Sequence, residues 1–130
     1  MIYGIGTDIV KIQRIESGLK RWGNAFAQRI LHAQEYTEFQ KAAMPANFLA
    51  KRFAAKEATA KALGTGFRQG LCLSHIEIGH ESLGRSILLL HGKAREFMAD
   101  FHIVASHVSL SDERDYVIAY VVLETNTNQK

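Results

Sequence analysis

The chain has 130 residues, enough for one domain around a single core, and its 47% hydrophobic and 22% charged content argues against disorder. A lone cysteine, Cys72, excludes an intramolecular disulfide and a cysteine-based zinc site, and one proline beside ten glycines excludes a Pro/Gly-rich linker architecture. The formal net charge is only +3, yet Lys11, Arg14, Lys20, Arg21 and Arg29 face just Asp8 and Glu16 in the first part of the chain. Such a basic face suits an acidic protein, a nucleic acid or a phosphorylated ligand, although a solvated helix face is the commoner explanation for any one of these residues. No apolar run reaches the length of a membrane span, and the first residues read as a strand rather than a signal peptide, so a soluble cytoplasmic protein is expected.

Residues 2–10 alternate as a strand does, with Tyr3, Ile5, Thr7 and Ile9 on one side and Ile2, Gly4, Gly6, Asp8 and Val10 on the other. Glycines weaken a strand and mark places where something comes close, here just before Asp8. A bulged strand with Asp8 in solvent is the plain alternative. The Gly4-Ile5-Gly6 run is not a dinucleotide fingerprint, because the third glycine is missing. Ile12, Ile15 and Leu19 then repeat at helical spacing, and Trp22-Gly23-Asn24 breaks that helix. Asn24 is expected to cap a short helix carrying Phe26, Arg29, Ile30 and Leu31. A further helix is predicted over 34–42, with Tyr36 and Phe39 turned inward.

The longest helical stretch follows Pro45, with Asn47 as its expected cap and Gly64 suited to the left-handed residue that ends it. Phe53, Glu57 and Lys61 are four apart and form one row, flanked by small alanines that leave the backbone open to close approach. A phosphate with its divalent cation would suit that surface. The same spacing describes an exposed Glu57–Lys61 pair worth about 0.2–0.5 kcal/mol, and spacing alone favours this plain reading. Beyond Gly66 the period changes. Leu71, Leu73, Ile76 and Ile78 suggest one strand, residues 81–84 a turn, residues 87–90 a buried strand and residues 93–101 a helix. Residues 103–111 and 116–124 are two strong strands joined as an antiparallel hairpin, and residues 125–130 form a polar tail. The expectation is one α+β domain, residues 1–130, with helices in the N-terminal half packed on a mainly antiparallel sheet.

The ordered set of residues 1–10, the run Arg52-Phe53-Ala54-Ala55-Lys56-Glu57-Ala58 with Lys61, the Gly64-Thr65-Gly66 turn and His107-Val108-Ser109-Leu110-Ser111 resembles the holo-[acyl-carrier-protein] synthase family. The resemblance spans nearly the whole chain. It implies a 4′-phosphopantetheinyl transferase, which moves the phosphopantetheine arm of coenzyme A onto a serine of apo acyl carrier protein. It also implies a homotrimer with coenzyme A in clefts between subunits, and no nucleic-acid or membrane partner.

By that resemblance Asp8 and Glu57 are the carboxylates for Mg²⁺, a hard cation that takes one or two carboxylates plus substrate phosphates. Lys61 is a point charge for phosphate. Asp8, Glu57 or a water on the metal are the alternatives for the base that takes the serine proton. Arg52 and His107 are implied near the adenosine 3′-phosphate and Gly64 on the coenzyme side, while Arg14, Arg29 and, more loosely, Arg21 face the acidic helix of the carrier. Lys56 sits off the Phe53–Glu57–Lys61 row, which suits a structural role. Two positions depart from the family: Gly84-Arg85-Ser86 stands where Gly-Lys-Pro is common, and Asp112 follows Ser111 where a histidine is common. His32, His75, His80, His91 and His102 have no ligand spacing and receive no role.

The alternative from another class is a non-catalytic basic module binding an acidic protein or RNA. Asp8 and Glu57 discriminate, because a binder of phosphate backbones gains nothing from carboxylates beside its ligand. A P-loop nucleotidase is excluded, since no Gly-x4-Gly-Lys-Ser/Thr run exists.

Overall fold

The computed structural model describes residues 1–126. Strand β1 (Ile2–Lys11) pairs antiparallel with β5 (Tyr116–Thr125), and β4 (Ile103–Asp112) pairs with the other edge of β5, giving the sheet order β1-β5-β4. Two-residue periodicity separates its faces. Gly4, Gly6, Asp8 and Val10 oppose Leu123, Val121, Ala119 and Val117 on the inner face, while Ile5, Thr7 and Ile9 oppose Val122, Tyr120 and Ile118 on the outer one. His107, Ser109 and Ser111 extend that outer face through β4. Tyr3 leaves the expected outer row, because the register shifts between Ile2 and Gly4 and its ring stacks on Phe101 at 5.4 Å.

Helix α4 (Pro45–Leu63) lies on the inner face of the sheet. Its alanines Ala54, Ala55, Ala58 and Ala62 are fully buried there. Small side chains on the helix and glycines on the strand let the two backbones approach: a Cβ on Gly4 would lie 2.0 Å from the Ala62 carbonyl oxygen, and one on Gly6 1.9 Å from that of Ala58. The open alanine surface is therefore closed by the protein's own strand rather than left for a ligand. Met44, not Asn47, precedes the first turn, because Pro45 occupies the first helical position, where its missing N–H is no loss. Gly64 ends the helix in the left-handed region at φ 82°, its N–H shared between the carbonyls of Ala60 and Lys61.

The smaller helices flank α4. In α1 (Ile12–Trp22) Ile12 and Ile15 are buried. Gly23, at φ 62°, makes the break before α2 (Asn24–Ile30), so Asn24 is the first helical residue rather than the cap. Helix α3 (Ala33–Phe39) is capped by His32, whose N–H donates to Glu35 Oε1 at 2.9 Å. It stops at Phe39 because Lys41 and Ala42 donate three residues back in tight turns.

Residues 71–78 are not one strand. A single turn of 3₁₀ helix, Leu73–His75, precedes β2 (Ile76–His80), which pairs with β3 (Ser86–Leu90). The carbonyls of Leu73 and Ile76 accept from the buried ammonium of Lys56, which holds this stretch in a turn instead of a ladder. Helix α5 (Gly92–Asp100) completes the α+β arrangement. Thr125 belongs to β5 rather than to a tail: it is buried, its N–H donates to the Met1 carbonyl and its hydroxyl to the His102 carbonyl. Residues 127–130 of the expected tail lie outside the described residues.

Candidate active site

Close packing of β1 on α4 brings Asp8, Glu57 and Lys61 together from the sheet and the helix. Asp8 is on the inner face of β1 beyond Gly6, with its side chain 16% exposed, and its Oδ1 accepts from Lys61 Nζ at 3.0 Å. The same ammonium donates to the Thr7 carbonyl at 3.0 Å, so Lys61 reaches across to the strand instead of back to Glu57. Burial, and then the charge of Asp8, push the Glu57 carboxyl above its ordinary value, while Lys61 opposes the rise. The two carboxylates, which repel at this range, supply a set of hard oxygen donors beside one flexible cation. That set fits Mg²⁺, which prefers oxygen and shares its shell with substrate phosphates. The row of Phe53, Glu57 and Lys61 is present as expected, half-buried at its first two members and exposed at the third.

Behind the row lies a buried ion-pair network that periodicity did not reveal. Lys56 and Glu35 are both 0% exposed, and Lys56 Nζ donates to Glu35 Oε1 at 2.6 Å. Glu35 Oε2 accepts from the Ile78 N–H at 2.9 Å. Desolvation lowers the Lys56 pKa, with Glu35 as the main opposing influence. Lys56 is therefore structural, pinning α4 to α3 and to the start of β2.

Arg52 is only 5% exposed. Its guanidinium stacks on Phe48 at 4.4 Å and lies 3.6 Å from Glu35 and 3.8 Å from Glu38. Its Nε is buried without a hydrogen-bond partner, so these contacts are charge pairing at a distance. Arg52 also lines a cleft of about 580 Å³ with Lys51, His80, Ser86 and Asp112. Partial burial, then the Arg52 charge, lower the His80 pKa. Lys51 and His80 carried no role in the sequence reading; the fold sets both beside Arg52 in this cleft.

His107 is not among the residues lining that cleft. It stands on the outer face of β4, with Nε2 2.6 Å from Glu124 Oε2, and this hydrogen bond lowers the Glu124 pKa. A single copy of the chain thus does not unite Arg52 and His107. Gly64 follows Lys61 as the helix-ending residue, linked to it through its N–H.

Arg14 and Arg29 meet at a second cleft, about 390 Å³, whose apolar walls include Ile15, Phe26, Ile30 and Phe53. Arg21 is separate, stacked over Trp22 at 4.9 Å.

Residues 4–121 match the family model of the 4′-phosphopantetheinyl transferase superfamily. The chain is 50% identical over 123 residues to the holo-[acyl-carrier-protein] synthase of Hamiltonella defensa, covering 95% of this chain and 98% of that protein. Among solved structures, it is similar to the holo-[acyl-carrier-protein] synthase of Neisseria meningitidis, with a TM-score of 0.92 and 48% identity over 96% of this chain and 100% of the other. The holo-(acyl-carrier-protein) synthase of Bacillus anthracis, solved in complex with CoA (3′,5′-ADP), matches at a TM-score of 0.81 and 34% identity, covering 97% and 99% of the two chains.

Proposed function

The chain belongs to the 4′-phosphopantetheinyl transferase superfamily, and we propose that Asp8 and Glu57 form the Mg²⁺ site at which it works. The protein is a holo-[acyl-carrier-protein] synthase: it transfers the 4′-phosphopantetheine moiety of coenzyme A to a serine of apo acyl carrier protein and releases 3′,5′-ADP. The non-catalytic basic module is thereby set aside.

The observation that carries the metal proposal is the meeting of two partly desolvated carboxylates from β1 and α4 with an ammonium 3.0 Å from one of them. Bound there, Mg²⁺ would neutralise charge on the pyrophosphate oxygens as the phosphoanhydride breaks. Lys61, 54% exposed in its side chain, is free to swing from Asp8 to a phosphate oxygen when the cation takes over the carboxylate. Holding the reacting groups in line and neutralising their charge is most of what phosphoryl transfer asks of a protein.

Arg52, with Lys51 and His80 beside it, offers cationic and imidazole groups for a terminal phosphate such as the 3′-phosphate of coenzyme A. On this reading His107 serves the same ligand from the outer face of the sheet, in a cleft shared between copies of the chain. Ile5, Ile9, Ile118 and Tyr120 are 51%, 60%, 45% and 47% exposed on that face, an apolar surface that supports a trimer. Among the described residues no helix is long and apolar enough to cross a membrane, and a cytoplasmic enzyme fits this reading.

The test is direct. Apo acyl carrier protein incubated with coenzyme A, Mg²⁺ and the protein gains one phosphopantetheine by mass spectrometry, while Asp8→Ala and Glu57→Ala abolish the gain and weaken Mn²⁺ binding. Full transfer by either variant, or in excess chelator, removes the metal assignment.

A further inference from the structure

Away from the carboxylate pair, His32, Glu77 and His91 present three donor atoms that all lie within 4.8 Å of one another. They come from three elements: His32 from the link between α2 and α3, Glu77 from β2 and His91 from the residue before α5. Both imidazoles converge on one oxygen. His91 Nε2 is 2.8 Å and His32 Nδ1 3.4 Å from Glu77 Oε1. The Glu77 side chain is only 10% exposed, whereas those of His32 and His91 are 30% and 41% exposed. The nearby Lys56 is already paired with Glu35, which leaves the Glu77 carboxylate to the two imidazoles.

His32 Nδ1 accepts from the Gln34 N–H at 3.4 Å, so in that state it is a lone-pair nitrogen facing a carboxylate oxygen. The two rings stack face to face at 4.2 Å and 11°, an arrangement that a positive charge on both would oppose. A shared cation requires both to change: the Gln34 N–H gives up the Nδ1 lone pair that the ion takes, and the rings turn out of the parallel stack so that each in-plane lone pair meets the ion.

We propose that His32, Glu77 and His91 form a second metal site, selective for a borderline divalent cation such as Zn²⁺ and separate from the Asp8–Glu57 site. Two imidazoles and a carboxylate, with a fourth position left open to water, are donors that Zn²⁺ favours and that Mg²⁺, which prefers oxygen alone, does not. Tetrahedral ligands at about 2.1 Å from zinc stand roughly 3.4 Å apart. The His32–Glu77 separation already matches, the His91–Glu77 separation has to open by a fraction of an ångström, and the two imidazole nitrogens, within 4.8 Å of each other, have to turn toward a common point. Rotation of two part-exposed rings supplies that movement, since the second side-chain torsion of histidine is broad.

The backbones beneath are fixed. The His32 N–H is held by Glu35, the His91 N–H donates to the His75 carbonyl at 2.8 Å, and Glu77 lies in register with Leu89. The metal would clamp the α2–α3 link and the start of α5 onto β2, a stabilising rather than a catalytic role.

The experiment uses the full chain, stripped by a chelator and titrated with Zn²⁺ against a chromophoric competitor, with Co²⁺ as a spectroscopic substitute. The wild type binds one equivalent of Zn²⁺, shows the visible bands of tetrahedral Co²⁺ and gains thermal stability on binding. His91→Asn and His32→Asn each raise the Kd at least about tenfold, since changes even outside the first coordination sphere cost 10- to 100-fold. Both remove the tetrahedral spectrum, and asparagine at position 32 keeps a good helix cap. Asp8→Asn leaves the Zn²⁺ equivalent unchanged, and millimolar Mg²⁺ does not displace it. A wild type that binds no more tightly than the double variant His32→Asn/His91→Asn overturns the proposal, as does Zn²⁺ binding that is lost in Asp8→Asn alone.

Discussion

A Cβ on Gly6 would lie 1.9 Å from the carbonyl oxygen of Ala58. That contact sets how far β1 stands from α4, and therefore how near Asp8 comes to Glu57 and Lys61. A missing side chain on the strand thus positions carboxylates that belong to two different elements.

Gly6→Ala is accordingly expected to lose about 1–3 kcal/mol of stability or more, the usual penalty for forcing extra atoms into a packed core. The obstruction is backbone, which has no rotamer in which to retreat. If the variant folds, its transferase activity falls further than its stability explains, because the strand is displaced from α4. Urea denaturation and steady-state kinetics on the same preparation separate the two effects. A variant as stable and active as the wild type contradicts the close packing.

The buried Lys56–Glu35 pair makes a different prediction. Lys56→Met leaves Glu35 charged in the core and releases the carbonyls of Leu73 and Ile76, so a loss of about 3–5 kcal/mol is expected. Adding Glu35→Leu removes the stranded charge and recovers part of the loss, although the N–H groups of Ile78 and His32 then lose their acceptor and the buried Arg52 a counter-charge. A double-mutant cycle in urea measures the coupling. Additive losses would mean that the two side chains do not interact.

These two contacts mark what was legible in the sequence. The glycines before Asp8 break a strand pattern, so a close approach showed from β1 alone, though not that α4 is the element approaching. The hairpin of β4 and β5 was equally plain, because alternation along a strand is a local signal. Lys56 and Glu35 are 21 residues apart on separate helices, and a buried ion pair has no period. The same cause explains the strand expected over 71–78: its carbonyls are diverted to a lysine whose burial only the tertiary structure creates. His107 and Arg52 carried a shared motif role, yet within one copy they lie in different places, because a strand pattern does not tell which face a partner will cover.

The outer face of the sheet gives a prediction about assembly. Ile9 and Ile118 are cross-strand neighbours, 60% and 45% exposed. Ile118→Glu places charge in the middle of this apolar patch and, on the proposed trimer, is expected to shift the protein to a monomer in light scattering. Transfer is expected to fall with it, since the proposed role of His107 needs a neighbouring copy. A wild type that is monomeric and fully active at micromolar concentration is incompatible with a shared cleft.

His107 and Glu124 predict a pH effect. Their 2.6 Å hydrogen bond lowers the folded pKa of Glu124 below its unfolded value. The carboxylate form is thus favoured by folding: the contribution is complete above the ordinary carboxylate pKa and disappears as the pH falls through the lower, folded value. In an NMR titration the Glu124 carboxyl titrates below its ordinary value, and His107→Gln moves it up. The stability of the two proteins differs at neutral pH and converges in acid. Equal Glu124 midpoints in the two proteins would show that the hydrogen bond does not persist in solution.

Arg14 and Arg29 share an apolar cleft with Ile15, Phe26 and Phe53, whereas Arg21 is engaged with Trp22 outside it. Cations beside an apolar groove suit an acidic helix that presents one hydrophobic side chain, as the family resemblance implies for the carrier protein. Exposed ion pairs are worth only about 0.2–1 kcal/mol each, so their effect is cumulative and sensitive to salt. Arg14→Glu with Arg29→Glu is expected to raise the KM for apo acyl carrier protein by roughly an order of magnitude, which corresponds to about 1.4 kcal/mol. It should also flatten the dependence of kcat/KM on ionic strength, because charges at the rim act mainly on encounter. Arg21→Glu alone changes either quantity less. The KM for coenzyme A is expected to stay near its wild-type value, since in the proposed site the phosphates of that substrate are met by Lys61, Arg52 and the metal. Kinetics against each substrate at two salt concentrations decide the matter. A double variant weakened toward coenzyme A but not toward the carrier would assign these arginines to the nucleotide side and leave the apolar cleft without its partner.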